Sequence, residues 1–440
     1  MVETDQNAMG GERVIAIANF GELFEDPDAP ASVLGEADGV PLGHAAGHKA
    51  GWWPEEDGFL LIAPTSLDLP PVPAGIRKEP AERLVVPDAD GRTAARLLED
   101  ARLWSRVRRF VQEARRVRLL ATVNSAGLRR MADRLATAAG LEVVGVPDCP
   151  PGLVRYWNTK IGGRDLLRGV PAAAALVPDA VVCHTPLHAE AMLAGHPASE
   201  RYVLKANMGA GGSGILWVTG GETGLAARLT RPDHTTGAGK NGLWPLPLDE
   251  PLLLEVGIGD PRRNRSLTAD FTVMPGGTVA FEGAALQVLD DFTRYRGIAW
   301  SPGAVAPAVL ASVASVGTAV GRAMARRGFS GPFNLDFILP PEGRLALAEI
   351  NVRRSAPLDQ HLAMRRLFGP DWPDRVAMRS WECLAGADPT TVAAAGLAFD
   401  GRAGVLLLGP RYGNGSATMA VAPDAAGLDR LVASCHDLKP

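Results

Sequence analysis

The run Val203-Leu204-Lys205-Ala206-Asn207-Met208-Gly209-Ala210-Gly211-Gly212-Ser213-Gly214 limits the folds open to this chain more than any other segment. It contains Gly-x-Gly-x-x-Gly at Gly209, Gly211 and Gly214, a spacing that binds dinucleotides only between a strand and a helix. Here Ile215-Leu216-Trp217-Val218-Thr219 follows, a β-type run closed by Gly220-Gly221, so a Rossmann unit is excluded. A P-loop is excluded as well, because no Lys-Ser or Lys-Thr pair follows the glycines. What is left is a strand–glycine loop–strand flap. The backbone N–H groups of Gly209, Gly211, Gly212, Ser213 and Gly214 can approach polyphosphate with no Cβ in the way. Lys205, in the strand leading into the loop, is placed to aim its ammonium at the same phosphates. The bland alternative is a hairpin with a flexible turn, which has no need of so many glycines beside a strand lysine.

Lysine is scarce in this chain. Of 45 basic residues only six are lysine: Lys49, Lys78, Lys160, Lys205, Lys240 and Lys439. Arginine is the default cation, so a lysine inside an apolar strand calls for a reason.

The second informative segment is acidic. Phe333-Asn334-Leu335-Asp336-Phe337-Ile338-Leu339 and Leu345-Ala346-Leu347-Ala348-Glu349-Ile350-Asn351 flank the turn Pro340-Pro341-Glu342-Gly343 and predict a hairpin. Pairing 339 with 344 sets Asp336 opposite Leu347 and diagonal to Glu349. Glu349 and Asn351 then share a face with Asp336, since strand side chains alternate. Two carboxylates and an amide oxygen in an apolar sheet are costly unless a cation binds them. Hard oxygen ligands suit Mg²⁺ carrying nucleotide phosphates. The competing reading, two solvent-facing acids on an edge hairpin, fits poorly with flanking residues that are apolar on both parities. Arg353 and Arg354 follow at once, and a guanidinium there can neutralise charge on a transferring phosphoryl group.

Elsewhere the pattern is α/β. Val14–Phe20, Phe59–Ala63, Leu119–Val123 and Val143–Val146 predict buried strands, with helices over Thr93–Arg115 and Leu128–Ala139 and a loop over Pro64–Glu82. That alternation implies a parallel sheet. Asp148-Cys149-Pro150-Pro151-Gly152 marks a domain boundary, and a helix follows over Leu153–Arg168. Then come β-hairpins: Tyr202–Ala206 with Ile215–Val218, Leu252–Val256, and Thr268–Val273 with Thr278–Glu282. Arg231–Leu243 reads as a loop. Pro307–Arg327 predicts a long helix, and Gly404–Leu408, Ala417–Val421 and Ala425–Ser434 predict a separate C-terminal α/β unit.

The two motifs together resemble the ATP-grasp superfamily, in which a glycine flap, two lysines and an Asp…Glu-x-Asn site hold Mg-ATP between two α+β subdomains. The match spans Leu153 to His361. The resemblance implies ATP and Mg²⁺ as cofactors. It makes Lys160 and Lys205 phosphate ligands, Glu255 the hinge glutamate beside the adenine, and Asp336, Glu349 and Asn351 the metal ligands. Arg353 matches the Asn-x-Arg of several members. Many members carry an arginine just before the metal aspartate; this chain has Pro332-Phe333 there, and Arg294 or Arg296 is the candidate substitute. Asp260 and Asp270 are candidates for the ribose-holding acid.

The whole-chain layout is similar to peptide ligases of the pheganomycin type, found in bacterial natural-product pathways. It implies a pre-ATP-grasp domain over 12–150, a grasp core over 151–380 (flap subdomain about 180–255, metal-site subdomain about 256–380) and a small domain over 381–440. The implied chemistry is attack of a carboxylate on the γ-phosphate, giving an acyl-phosphate and ADP, then displacement of phosphate by an amine or peptide. Two alternatives remain open: loading of an amino acid onto a carrier-protein thiol, and a nucleotide-binding module without catalysis.

Composition narrows the partners. A net charge of −4 and pI near 6.1 give no global attraction to nucleic acid or an anionic membrane. The polar, acidic Met1–Arg13 stretch lacks a signal-peptide layout, and no apolar run reaches the roughly 20 residues of a membrane span. Four scattered cysteines without a Cys-x-x-Cys pair suit a reducing cytoplasm. His44 with His48, and His184 with His188, have i, i+4 spacing but no evident third ligand. Trp52-Trp53 suits packing or a lid, and no Gly-x-Ser-x-Gly elbow supports a serine hydrolase.

Overall fold

A computed structural model describes residues 11–24, 36–37, 40–41, 47–64, 70, 72–73, 76–87, 92–209, 211–212, 214–230, 250–290, 292–341, 344–412 and 415–438. Ser213, His44 and the loop expected over Arg231–Leu243 lie outside these residues.

The first strands are β1 (Glu12–Ile17), the two-residue pair β2 (Glu36–Ala37) and β3 (Val40–Pro41), β4 (Phe59–Ala63), β5 (Pro80–Val85), β6 (Arg116–Ala121) and β7 (Glu142–Val144). Five of them form a sheet of order β5-β4-β1-β6-β7, parallel throughout. Both faces are covered, which is why β1 and β4 read as unbroken apolar runs. Ile15, Ile17, Leu60 and Ile62 pack with Leu97, Trp104 and Met131 from the helices on one side. Val14, Ala16 and Leu61 turn the other way, into a core shared with the rest of the molecule. β5 lies where the sequence suggests a loop. It begins at proline, and alternate residues stay outside the core, as an edge strand allows. The helix expected over Thr93–Arg115 is two, Thr93–Glu99 and Ala101–Val111, because Asp100 is extended and its carboxylate caps the second by accepting from Arg102 N (2.8 Å) and Leu103 N (3.1 Å).

The next four strands, β8 (Ala180–Cys183), β9 (Arg201–Ala206), β10 (Ile215–Thr219) and β11 (Leu252–Val256), form an antiparallel sheet of order β10-β9-β11-β8. This is the flap hairpin and its support. The last sheet holds β12 (Arg265–Val273), β13 (Val279–Asp290), β14 (Arg294–Trp300), β15 (Gly331–Leu339), β16 (Ala346–Asn351), β17 (Ala377–Ala385), β18 (Gly404–Tyr412) and β19 (Gly415–Ala422). Its order is β16-β15-β12-β13-β14-β17-β19-β18. Residue 381 falls inside β17, which pairs with β14 on one side and β19 on the other. The final residues do carry an apolar cluster of their own, Trp381, Leu384, Leu407, Leu428 and Cys435 among them, yet the sheet runs on without a gap.

The helix Pro307–Ala325 lays Val313, Val316, Val320 and Met324 onto the core beneath β12 and β13. It corrects one sequence expectation. At 19 residues it is long and apolar enough to cross a bilayer by length and composition. The buried stripe requires Val and Met, while alanine on the remaining faces raises mean hydropathy further.

Candidate active site

The helix expected over Leu153–Arg168 breaks into Pro151–Trp157 and Lys160–Arg168. Thr159 is extended and caps the second piece, its Oγ1 accepting from Gly162 N at 2.9 Å. Lys160 therefore begins a helix, and the flap strand holds that end: Asn207 O accepts from Lys160 N (2.8 Å) and Asn207 Oδ1 from Ile161 N (3.2 Å). Gly163 sits so close to β16 that a Cβ would lie 2.8 Å from Ile350 Cγ2 and 2.9 Å from Trp157 O. This contact sets Lys160 against Glu349, and the two side chains form an ion pair.

A second pair lies alongside. Lys205, 5% exposed, donates to Glu255 Oε1 at 2.8 Å and to Ala348 O at 3.2 Å. Glu255, 3% exposed, also pairs with Arg164 at 3.3 Å. β9 and β11 are antiparallel neighbours with Lys205 opposite Leu253, so Glu255 is a diagonal partner two residues along the same face. Lys160, Arg164, Lys205, Glu255, Ala348 and Glu349 all line one cleft. Buried ion pairs contribute little net stability, and their desolvation is offset only by good geometry and further hydrogen bonds. Three cations and two anions packed here suit a site arranged for a polyanion.

On the acidic hairpin the observed register is shifted one residue from the expected 339–344 pairing, and a bulge then shifts it one more. Ile338 pairs with Ala346 and Phe337 with Leu347, but Asp336 faces Glu349 directly, leaving Ala348 as the extra residue. The expected diagonal is thus a direct cross-strand pair, and Asn334 faces Asn351. Asp336 accepts from Gln287 Nε2 at 2.8 Å and from Asn351 Nδ2 at 3.1 Å. Burial, and then the Glu349 charge, push Asp336 up to about 7. Burial pushes Glu349 up too, but Lys160, Lys205 and Arg353 more than offset it, and its pKa lies below the ordinary carboxylate value. Arg353 donates to Asn158 Oδ1 at 2.9 Å, and burial lowers its pKa against the pull of both acids.

The glycine loop is seated rather than free. Gly211 O accepts from Tyr295 N at 3.1 Å. Gly212 has φ +85°, and a Cβ there would fall 1.8 Å from Thr293 O. Only glycine allows the loop to rest on the start of β14. Gly214 closes the hairpin, its carbonyl accepting from Ala206 N at 2.7 Å.

Lys160, Lys205, Glu255, Asp336, Glu349, Asn351 and Arg353 thus come together. Arg296 pairs with Asp290 across the β13–β14 hairpin. Asp260 lies at the surface and pairs with Arg201 at 3.1 Å. Asp270 is 1% exposed inside the sheet, so neither presents itself as a ribose ligand. The rings of His184 and His188 stack 6.2 Å apart, and among the described residues no group of three or more His, Cys, Asp and Glu side chains could hold a metal. The sequence does not single out Arg164, Gln287, Thr268 or Asn334 as site residues. Arg164 sits four residues after Lys160, on the same helix face. That spacing was a usable signal for it. Gln287 comes from a strand whose Gly283-Ala284-Ala285 stretch hides its β character.

No protein-family model matches the chain, and no curated protein matches its sequence. Solved structures do. The N5-carboxyaminoimidazole ribonucleotide synthetase of Thermus thermophilus superposes with TM-score 0.51 at 16% identity, over 97% of this chain and 98% of that one. The biotin carboxylase domain of Hydrogenobacter thermophilus 2-oxoglutarate carboxylase, solved with MgADP, ADP and bicarbonate, gives 0.52 at 14% identity over 96% and 89%. The Campylobacter jejuni biotin carboxylase–βγ-ATP complex gives 0.52 at 12% over 82% and 81%. A parallel α/β sheet, an antiparallel flap sheet and a large antiparallel sheet, in that order along the chain, give this protein the ATP-grasp fold.

Proposed function

We propose that the chain is an ADP-forming ligase that uses Mg-ATP to join a carboxylate, an amino acid or a derivative, to an amine or peptide through an acyl-phosphate. One observation carries the proposal: the Lys160–Glu349 and Lys205–Glu255 pairs line one cleft, and Asp336 lies directly across the strand from Glu349.

The donor set fits the magnesium nucleotide. Asp336 and Glu349 are adjacent partly buried acids that repel each other, and the Asn351 amide adds a third hard ligand, as Mg²⁺ requires. Bound there, Mg²⁺ neutralises phosphate charge and ATP supplies the phosphoryl group that activates the carboxylate. Lys160 and Lys205 hold phosphate oxygens, trading a carboxylate partner for them. Backbone N–H groups of Gly209, Gly211, Gly212, Ser213 and Gly214 close over the same oxygens. Glu255 would meet the base at the hinge, and Arg353, with Arg296 as a further candidate, would neutralise charge at the transferring phosphoryl group. On this reading residues 12–150 are the pre-ATP-grasp unit, 151–380 the grasping core and 381–440 an appended unit.

Asp336→Asn and Glu349→Gln preserve shape and remove charge. Each is expected to lower ADP release roughly a hundredfold or more, with melting temperature retained, when amino acids and short peptides are screened as substrates. Turnover at the wild-type rate in both variants would sink the metal roles.

A further inference from the structure

Glu255 is held by two cations, one on each oxygen, and nucleotide binding as read above requires only one of them to leave. Lys205 Nζ donates to Oε1 at 2.8 Å, and Arg164 Nη1 meets Oε2 at 3.3 Å. All three side chains are buried, Arg164 being 8% exposed. The guanidinium is itself anchored, since its second terminal nitrogen donates to Pro178 O. Pro178 lies just before β8, whose Ala180 pairs with Glu255, so Arg164 bridges two neighbouring strands of the flap sheet. It does so from the helix Lys160–Arg168, one turn after Lys160. A lysine at 164 would bring the charge but not the planar fork that spans two fixed acceptors.

The cleft lysines must leave their carboxylates before they can hold phosphate. For Lys160 the acid left behind is Glu349, which Arg353 already faces and which the proposed Mg²⁺ would neutralise. Glu255 has no place in that metal set. Were Lys205 its sole counterion, each binding event would strand a buried carboxylate, and breaking a buried pair in that way is strongly unfavourable. Arg164 removes the obstacle. Its hold on Oε2 keeps Glu255 paired and oriented while Oε1 is given up. Burial lowers the Arg164 pKa and the Glu255 charge opposes that fall, so the acid in turn helps to keep the guanidinium charged.

We infer that Arg164 is a positioning residue for nucleotide binding: it acts through Glu255, as the fixed counterion that frees Lys205 for phosphate. This rests on the nucleotide reading of the cleft. Arg164 itself makes no contact with the ligand. Without it, Lys205 is the remaining partner of Glu255, and a nucleotide has to compete against that pair.

The test is a double-mutant cycle on the full chain, read by calorimetric titration with MgADP, which requires no knowledge of the other substrates. Arg164→Gln in the wild-type background is expected to raise the Kd about tenfold or more. In a Glu255→Gln background the same change is expected to raise it by less than about twofold, because the charge that needs a fixed counterion is gone. Equal losses in the two backgrounds would mean that Arg164 contacts phosphate itself or merely supports the fold, and either overturns the inference. So does an unchanged Kd in Arg164→Gln. Wild-type protein that binds neither MgADP nor MgATP would instead defeat the nucleotide reading. Should Glu255→Gln bind too weakly to titrate, a Lys205→Gln background replaces it; Arg164 then has nothing to free, and the loss should again vanish. Should Arg164→Gln fail to fold, Arg164→Lys carries the same comparison, with a loss of about threefold expected only where Glu255 is intact.

Discussion

At the scale of single residues, what distinguishes this chain is charge placed where water is scarce. Lys205 and Glu255 are each about 5% exposed or less, and Lys160 is 8% exposed. Removing one partner strands the other, typically at a cost of about 3–5 kcal/mol. Glu255→Ala is therefore expected to unfold at lower denaturant than Glu255→Gln, which can still accept from Lys205. Equal midpoints would show that the pair is not desolvated. The buried acids give a pH signature in the ligand-free protein. Asp270 and Asp359 ionise near 3.8 in the unfolded chain but are raised to about 8 and about 7 in the fold. Their contributions are complete below about 3.8 and are lost as pH rises toward those values. His361 works in the opposite direction. Burial lowers it from 6.5 to about 4, against the Glu282 charge and with Arg365 adding to the fall, so its contribution is lost as pH drops below 6.5. Between pH 6.5 and 8 the raised acids act, Asp270 throughout and Asp359 and Asp336 only up to about pH 7. Stability should fall there, by at most about 1.4 kcal/mol per pH unit for each group, and Asp270→Asn should flatten the decline in a melting series.

At the scale of elements, the flap and the acidic hairpin were the legible parts, because each concentrates unusual residues in one run. The glycines showed that a close approach was needed but not what lay beneath them. Residues 293–295 arrive from a strand some eighty positions away. Similarly, the shared face of Asp336, Glu349 and Asn351 was readable, whereas the one-residue shift of the hairpin and the compensating bulge at Ala348 were not, since no glycine or turn residue marks them. The helix break at Asn158-Thr159 carried a capping threonine that a continuous apolar pattern obscured. That Asp270 lies against His361 could not be found from spacing. They meet only when β12 and the Ala356–Phe368 helix pack together. The flap offers a direct check. Gly212→Ala adds a methyl at φ +85° against Thr293 O, a strain of roughly 1–3 kcal/mol that opening the loop relieves. The variant should keep its melting temperature within about 2 °C, since little core is touched, while its KM for ATP rises at least tenfold. An unchanged KM would mean that the seated loop plays no part in holding nucleotide.

At the scale of the whole molecule, the three units expected from the sequence are tied together more closely than their separate patterns suggest. Trp52 is 1% exposed and donates Nε1 to Leu408 O in β18 at 2.8 Å, joining the N-terminal part of the chain to its C-terminal strands. Lys49 pairs with Glu382 at 3.0 Å, and Arg366 donates to Pro54 O at 2.7 Å. Arg354 N bonds Thr122 O, and Cys149 N bonds Gly328 O. One apolar cluster runs from Val14 through Phe271 and Met364 to Val421. Such sharing predicts one cooperative transition, although independent domains of this size would ordinarily unfold in steps. Far-ultraviolet dichroism and tryptophan fluorescence should give coincident denaturant curves. Trp52→Ala should shift both together by about 3–5 kcal/mol, the usual loss for a large buried aromatic. Two separated transitions, or a Trp52→Ala effect confined to one of them, would show that the N-terminal sheet folds apart from the grasping core. Trp53 and Thr122 would then be loosely held beside Asp359 and Arg354.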